Sequence, residues 1–309
     1  MATSEMPYGR SPAADRDFQI TVCHRIPIQT RRSADGLQIK LQQFRTHLTL
    51  IAGALFMGLP LVLMFVSVTH DGGFAARGSV SLVPGQALGR NLQGLSDVIV
   101  GNAAGPTLNQ MLATSLISGA GVAVATTVVS FLAAYAMTFL KLPGARFWFW
   151  LTLLTLYFPV EARMLPTFEV AAQLGLINTH LGLILPVLPL ALGTFVFRQH
   201  MKTFPPEYLE AARLDGVRSL GFLKDFVVPL SWVPIGAVLV ITFVVGWNQY
   251  IWPLMIAIDN SQFTLMRGLG LLGSGSGPSM VLAAISILPP LALVLVFQRR
   301  IMGLYALRD

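Results

Sequence analysis

The chain has 309 residues, 54% of them hydrophobic and only 11% charged, with a mean hydropathy of +0.67. A soluble domain carries about a quarter charged residues, so there is too little charge to cover a water-facing surface, and a bilayer is the expected solvent. The net charge of +7 would suit a nucleic-acid binder, but in a membrane chain the placement of Lys and Arg says more than their sum, and no nucleic-acid partner is expected.

Residues 1–45 are polar and carry Arg10, Arg16, Arg25, Arg31, Arg32, Lys40 and Arg45. No small-residue cleavage site follows an apolar core there, so no cleaved signal peptide is expected, and the segment reads as a cytoplasmic tail. Cys23, the single cysteine, permits no intramolecular disulfide. An apolar run of about 18 or more residues is a candidate membrane span. The first covers 46–69, with "HLTLIAGALFMGLPLVLMFVSVT" at 47–69. A Gly- and Ser-containing loop, 70–107, follows on the periplasmic or extracellular side. The remainder, 108–299, reads as a core of five further spans. They are expected at about 111–140, 147–168, 181–198, 230–257 and 278–298, with a "KLPGAR" turn at 141–146. A segment at 169–180 is expected to lie along the interface, a polar loop occupies 200–229, a second outer loop 258–277, and a cytoplasmic tail 300–309. There is no convincing internal repeat of the kind many secondary transporters show.

Six spans put both termini on one side. Of the 21 Lys and Arg residues, 17 fall on the two tails with Arg299 at the edge of the second, the 141–146 turn and the polar loop with Arg198 at its edge. Only Arg77, Arg90, Arg163 and Arg267 fall on the other side. Cytoplasmic flanks carry the Lys/Arg excess, so both termini and the polar loop are expected in the cytoplasm of a multi-pass inner-membrane protein.

Within that loop, "EYLEAARLDG" (207–216) is a short charged helix candidate. Pro205 and Pro206 suit a helix start, Glu207 and Glu210 lie near the positive end of the helix dipole, and Gly216 suits a C-terminal stop. Ala211 and Ala212 offer a small surface for close approach, and Tyr208 and Leu209 offer apolar anchors. On these features alone the stretch suits either a docking knob or an ordinary solvated helix.

The longer pattern is more specific. Glu210-Ala211-Ala212, three residues, Gly216, nine residues, then Phe226-Val227-Val228-Pro229 resembles the EAA loop of ABC importer permease subunits, E-A-A-x3-G-x9-I-x-L-P. Phe226 and Val228 replace the usual Ile and Leu. Asp215 before the glycine resembles the carbohydrate-importer, maltose-permease-like branch. The resemblance implies an all-α membrane fold of six transmembrane helices, the type I ABC importer permease fold. It also implies a coupling helix, with Tyr208, Glu210, Ala211, Ala212, Asp215 and Gly216, that docks on a cytoplasmic ABC ATPase dimer. The chain itself is expected to hold no cofactor and perform no chemistry. Its lysines, Lys40, Lys141, Lys202 and Lys224, never follow a glycine, so it lacks the Gly-Lys-Ser/Thr of a phosphate-binding loop. ATP and Mg would be bound by the partner.

Three stretches are unusual for lipid-facing helices. "YFPVEARMLPTFEV" (157–170) holds Glu161 and Arg163, "FVFRQ" (195–199) ends the fourth span, and "GWNQYIWPL" (246–254) holds Trp247, Asn248, Gln249 and Tyr250. Ionisable groups within spans usually face a partner or a watery cavity. Glu161 and Arg163 suit a mutual pair, an interfacial anchor or a cargo contact. Asn248 and Gln249 suit helix–helix glue or a translocation path, and Trp247 and Trp252 suit an interfacial aromatic belt. The same stretches are similar to permeases of sn-glycerol-3-phosphate importers, over about 150–301 and more loosely over the first span. That likeness implies a cargo of glycerol-3-phosphate or a glycerophosphodiester such as glycerophosphocholine. It also implies a second, non-identical permease, a periplasmic or lipid-anchored binding protein, and surrounding lipid as partners. The same architecture importing a neutral sugar is the nearest alternative. An autonomous secondary transporter lacks support from repeats or buried acids. A membrane enzyme would need a clustered site, whereas His24, His47, His70, His180 and His200 are scattered without metal-ligand spacing.

Overall fold

The computed structural model describes residues 34–74, 77–100, 105–140, 142–188, 191–272 and 275–305, and every regular element among them is helical. The chain divides into two compact units, Met1–Met57 and Gly58–Asp309. Helix α1 (Ala34–Ser67) starts in the first and ends in the second. In the first unit, residues 40–57 of α1 leave every side chain exposed, Leu55, Phe56 and Met57 among them. At 34 residues, about 51 Å at 1.5 Å per residue, α1 exceeds the hydrocarbon thickness of a bilayer.

The second unit starts with a departure from expectation. The loop expected at 70–107 contains helix α2 (Leu88–Val100). Asn91 and Leu95, one turn apart, are buried on one face of it. Asn91 Nδ2 donates 2.7 Å hydrogen bonds to the carbonyls of Val68 and His70, holding α2 to the chain just past the end of α1.

Helix α3 (Leu108–Phe139) is the central post. Thr107 and Gln110 cap its start reciprocally, each side chain taking the other's backbone N–H. Its buried face is built from small residues, including Ser115, Ser118, Gly119, Ala123, Thr126 and Ser130. Small residues let backbones close up where lipid supplies no hydrophobic drive between helices. A Cβ on Gly246 would lie 3.2 Å from the Gly119 Cα, so α3 and α11 (Trp232–Trp247) meet nearly backbone to backbone.

The span expected at 147–168 is not one helix. It is α4 (Ala145–Leu154), a 3-10 turn at Thr155–Tyr157, and α5 (Val160–Gln173), broken at Phe158-Pro159. A proline pushes the residue before it out of the helical region, and Phe158 is extended at ψ 121. The interfacial helix expected at 169–180 is instead the end of α5 and a turn with Gly175 and Asn178 at positive φ.

The span expected at 181–198 consists of α6 (His180–Ile184), a 3-10 turn at Leu185–Val187 and α7 (Ala191–Met201). Next come α8 (Pro206–Leu214), α9 (Ser219–Phe222), a π-helical turn at Leu223–Val227, and α10 (Val228–Leu230). The α9–α10 segment meets α11 at a 76° bend. The expected 230–257 span stops at Trp247 and resumes as α12 (Ile251–Ile256). The outer loop expected at 258–277 contains α13 (Leu265–Leu271), and α14 (Gly277–Tyr305) closes the bundle.

Three helices, α1 over Lys40–Ser67, α3, and α14 over Gly277–Gln298, are each long and apolar enough to cross a bilayer. Counting each of the two bent pairs, α6 through α7 and α9 through α11, as one broken span gives up to five among the described residues. The broken α4–α5 segment is the expected sixth crossing and falls outside that set. Two apolar cores hold the second unit together. One centres on Trp247, Trp252, Ile256, Leu265 and Leu282, the other on Phe131, Tyr135, Phe197, Phe222 and Val227.

Candidate functional site

The strongest candidate site is a cavity of about 410 Å³ between α5, the 3-10 turn at Leu185–Val187 and the gap between α11 and α12. Sequence chemistry explains the gap. Pro253 has no N–H to offer the carbonyl four residues back, that of Gln249, so a continuous helix would lose a bond there. Asn248 ends α11 by donating its backbone N–H to Val244 O at 3.1 Å, and Tyr250 leads into α12. The amides of Asn248 and Gln249 therefore lie in a break between two helices and not inside a continuous one. Asn248 is exposed and Gln249 half-buried, and both line the cavity.

Arg163 reaches the cavity from α5, with Met164 and Thr167, and is the only charged residue among those lining it. Most of the remaining wall is apolar: Pro186, Val187, Val245, Ile251 and Trp252. Among the described residues, the side chains of Arg163, Asn248 and Gln249 form no hydrogen bond or ion pair with other protein groups. An apolar pocket with a few convergent, unengaged polar groups is the usual form of a small-molecule site.

The walls are tied down. Trp252 Nε1 donates to Gly182 O at 2.9 Å and the ring is buried. Arg267 Nη1 donates to Pro253 O at 3.0 Å and Leu254 O at 2.6 Å, and its guanidinium lies 3.9 Å over the Phe263 ring. A cation bonded to the last carbonyls of α12 also suits the negative end of its dipole. Asn178 adds a backbone N–H to Ile256 O at 2.8 Å.

Of the residues singled out in the sequence for a substrate path, Arg163, Asn248, Gln249 and Tyr250 come together here, and two do not. Trp247 is 1% exposed and donates Nε1 to Ser286 O at 2.9 Å, so it belongs to the core. Trp252 is likewise a core ring rather than a member of an aromatic belt. Glu161 is exposed in the first turn of α5, outside the lining, and makes no ion pair with Arg163. Residues two apart on a helix do not face each other. Arg267 carried no local signal in the sequence, since its carbonyl partners lie 13 and 14 residues away.

The second candidate element is α8. Pro205 precedes it and Pro206 opens it. At its end Asp215 is the C-cap, its N–H meeting Ala211 O at 3.0 Å. Gly216 then sits at φ +72, and its N–H bonds Arg213 O at 3.1 Å. Val217 N–H bonds Ala212 O at 2.9 Å, completing a glycine-terminated cap. A Cβ on Gly216 would meet nothing within 4 Å, so the glycine serves the backbone angle and not the packing.

The two alanines have different surroundings. Ala211 is exposed, whereas Ala212 is 2% exposed and packs in the core with Phe131, Tyr135 and Phe222. Leu209 also packs against that core, so it is not an outward anchor. The outward groups are Glu207, Glu210, Ala211, Tyr208 and Leu214, the last 89% exposed. Tyr135 donates its hydroxyl to Ser219 O at 2.6 Å, tying the segment after α8 to α3.

The family described as "Binding-protein-dependent transport system inner membrane component" matches residues 116–302. The chain is 39% identical to the sn-glycerol-3-phosphate transport system permease protein UgpE of Yersinia pestis bv. Antiqua (strain Antiqua), over 82% of this chain and 92% of that protein. The same protein of Pectobacterium atrosepticum is also 39% identical, and that of Rhizobium meliloti 37%, with the same coverage. Among solved structures, a chain from a bacterial ABC transporter involved in the import of the acidic polysaccharide alginate superposes with a TM-score of 0.68. It is 19% identical, covering 84% of this chain and 96% of that one, and the match shows a shared fold.

Proposed function

The chain belongs to the family of binding-protein-dependent transport system inner membrane components, and from that premise we propose that it is a permease for sn-glycerol-3-phosphate or glycerophosphodiesters. Glycerophosphocholine is an example of the second class. It is a multi-pass inner-membrane transport subunit. In the proposed assembly it pairs with a second, non-identical permease and an ABC ATPase dimer that binds ATP and Mg. A periplasmic or lipid-anchored binding protein delivers cargo. Both termini and α8 lie in the cytoplasm, on the side of the Lys/Arg excess.

One observation carries the cargo reading: Arg163, Asn248 and Gln249 line a single cavity and are engaged with nothing else among the described residues. A guanidinium engages a phosphate bidentately, with charge and geometry both matched. Primary amides both donate and accept, which suits glycerol hydroxyls. The relatives named for glycerol-3-phosphate transport support the same cargo.

Coupling would run through α8. Its inward residue, Ala212, is packed into the chain's own bundle, while Tyr208, Glu210, Ala211 and Leu214 are free to enter a groove on the ATPase. Motion of the ATPase would then pass to α3 and α7 through the Phe131, Tyr135 and Phe197 core. The exposed apolar surface of α1 over 40–57 suits contact with the second permease or with lipid. Co-purification tests the assembly. The tagged chain should carry an ATP-hydrolysing subunit and a second permease through affinity purification, and recovery of the chain alone, fully folded and transport-active, would refute it.

A further inference from the structure

We propose that the pocket between the first turns of α4 and the last turn of α7 is a binding site for the phosphate headgroup of an anionic membrane lipid. The proposal concerns a site at the end of the bundle from which α8 leaves, and it does not depend on which cargo is carried. The pocket measures about 440 Å³ and gathers Arg146, Arg198 and Lys202. No acidic residue lines it, and none of the three cations is ion-paired among the described residues. Three like charges around one pocket repel each other unless an anion enters.

Arg198 shows that the pocket is built and not merely a charged surface. Its guanidinium lies 3.9 Å over the Phe149 ring, and Phe149 stacks on Phe195 at 6.3 Å. Its Nε is buried and has no hydrogen-bond partner among the described residues. Burying part of a cation without a partner is costly, and an anion seated against the guanidinium would offset that cost. The α4 N-terminus adds a second source of positive potential, because Gly144 offers no side-chain cap to its first N–H groups.

The aromatic wall favours a lipid over a free phosphate. Trp150 is 62% exposed and Phe195 37% exposed beside the cations. Tryptophan rings settle at headgroup depth with their apolar faces toward acyl chains. In the proposed orientation this is the cytoplasmic leaflet, where basic pockets between spans take up anionic headgroups.

The test uses the assembled importer in nanodiscs containing equal phosphatidylcholine and phosphatidylglycerol, with retained lipid read by native mass spectrometry. The wild-type complex should retain phosphatidylglycerol preferentially. Lys202→Gln, an exposed position, should lower that retention about fivefold, and adding Arg146→Gln should lower it about fivefold again. Arg198 is left intact because it packs on Phe149. The charge-conserving pair Arg146→Lys and Lys202→Arg should restore retention, which separates loss of charge from damage to the fold. Equal retention by wild type and by Lys202→Gln overturns the proposal. So does complete displacement of phosphatidylglycerol by millimolar inorganic phosphate, which would assign the pocket to a free anion.

Discussion

Trp252 donates its indole N–H to the carbonyl of Gly182 at 2.9 Å, joining α12 to α6 across 70 residues of sequence. The bond ties one wall of the cavity to the bundle, and the ring itself is buried. Trp252→Phe keeps most of the ring and removes the donor. Leaving a buried carbonyl unsatisfied costs about 1–3 kcal/mol. The variant should assemble but transport more slowly, with a thermal midpoint several degrees lower by fluorescence-detected size exclusion. An unchanged midpoint would mean that the bond does not hold the wall.

Gly246 and Gly119 set the spacing of α3 and α11. A Cβ at 246 would lie 3.0 Å from the Val122 Cβ and 3.2 Å from the Gly119 Cα. Gly246→Leu must push the two helices apart, at about 1–3 kcal/mol or more. Reduced yield of folded protein should follow. Gly53→Leu, where a Cβ meets nothing within 4 Å, should not reduce it. Equal yields would contradict the close-packed reading.

Gly216 lies at φ +72 in open space. Gly216→Ala should therefore act through the backbone alone, at about 1–2 kcal/mol of strain, and should partly uncouple ATP hydrolysis from uptake. Gly216→Trp should uncouple them further while leaving insertion intact. Normal cargo-stimulated ATPase activity in the tryptophan variant would remove α8 from the coupling route.

The orientation proposed from the Lys/Arg distribution is open to direct labelling. In a Cys23→Ser background, Gln86→Cys lies in the outer loop and Arg213→Cys in α8, and both positions are exposed. An impermeant thiol reagent should label the first and spare the second in intact spheroplasts. The reverse pattern would invert the topology.

The helical class and the start and stop of α8 were legible because each rests on local chemistry. Apolar runs, a proline pair and a glycine at the αL position act within a few residues. The breaks were harder to see. Phe158-Pro159 and Pro253 interrupt runs that remain apolar on both sides, so hydropathy joins what the backbone separates. Once α11 stops at Trp247, Asn248 and Gln249 line a cavity and are no longer amides inside a continuous helix. The opposite surroundings of Ala211 and Ala212, and the bonds from Arg267 to the end of α12, depend on packing between distant segments. No spacing in the sequence encodes those contacts.

The cargo reading is most directly tested by labelled uptake into proteoliposomes holding the whole complex, with sn-glycerol-3-phosphate, glycerophosphocholine and maltose compared side by side. The account predicts ATP-dependent uptake of one or both phosphate-bearing cargoes. Arg163→Ala should lower it at least tenfold, as expected for losing a charge-assisted contact of about 1.5–3 kcal/mol, and should leave assembly intact. Asn248→Ala and Gln249→Ala should lower it in the same direction by less. Uptake of maltose alone, or full glycerol-3-phosphate transport by Arg163→Ala, would contradict the assignment of phosphate to this cavity.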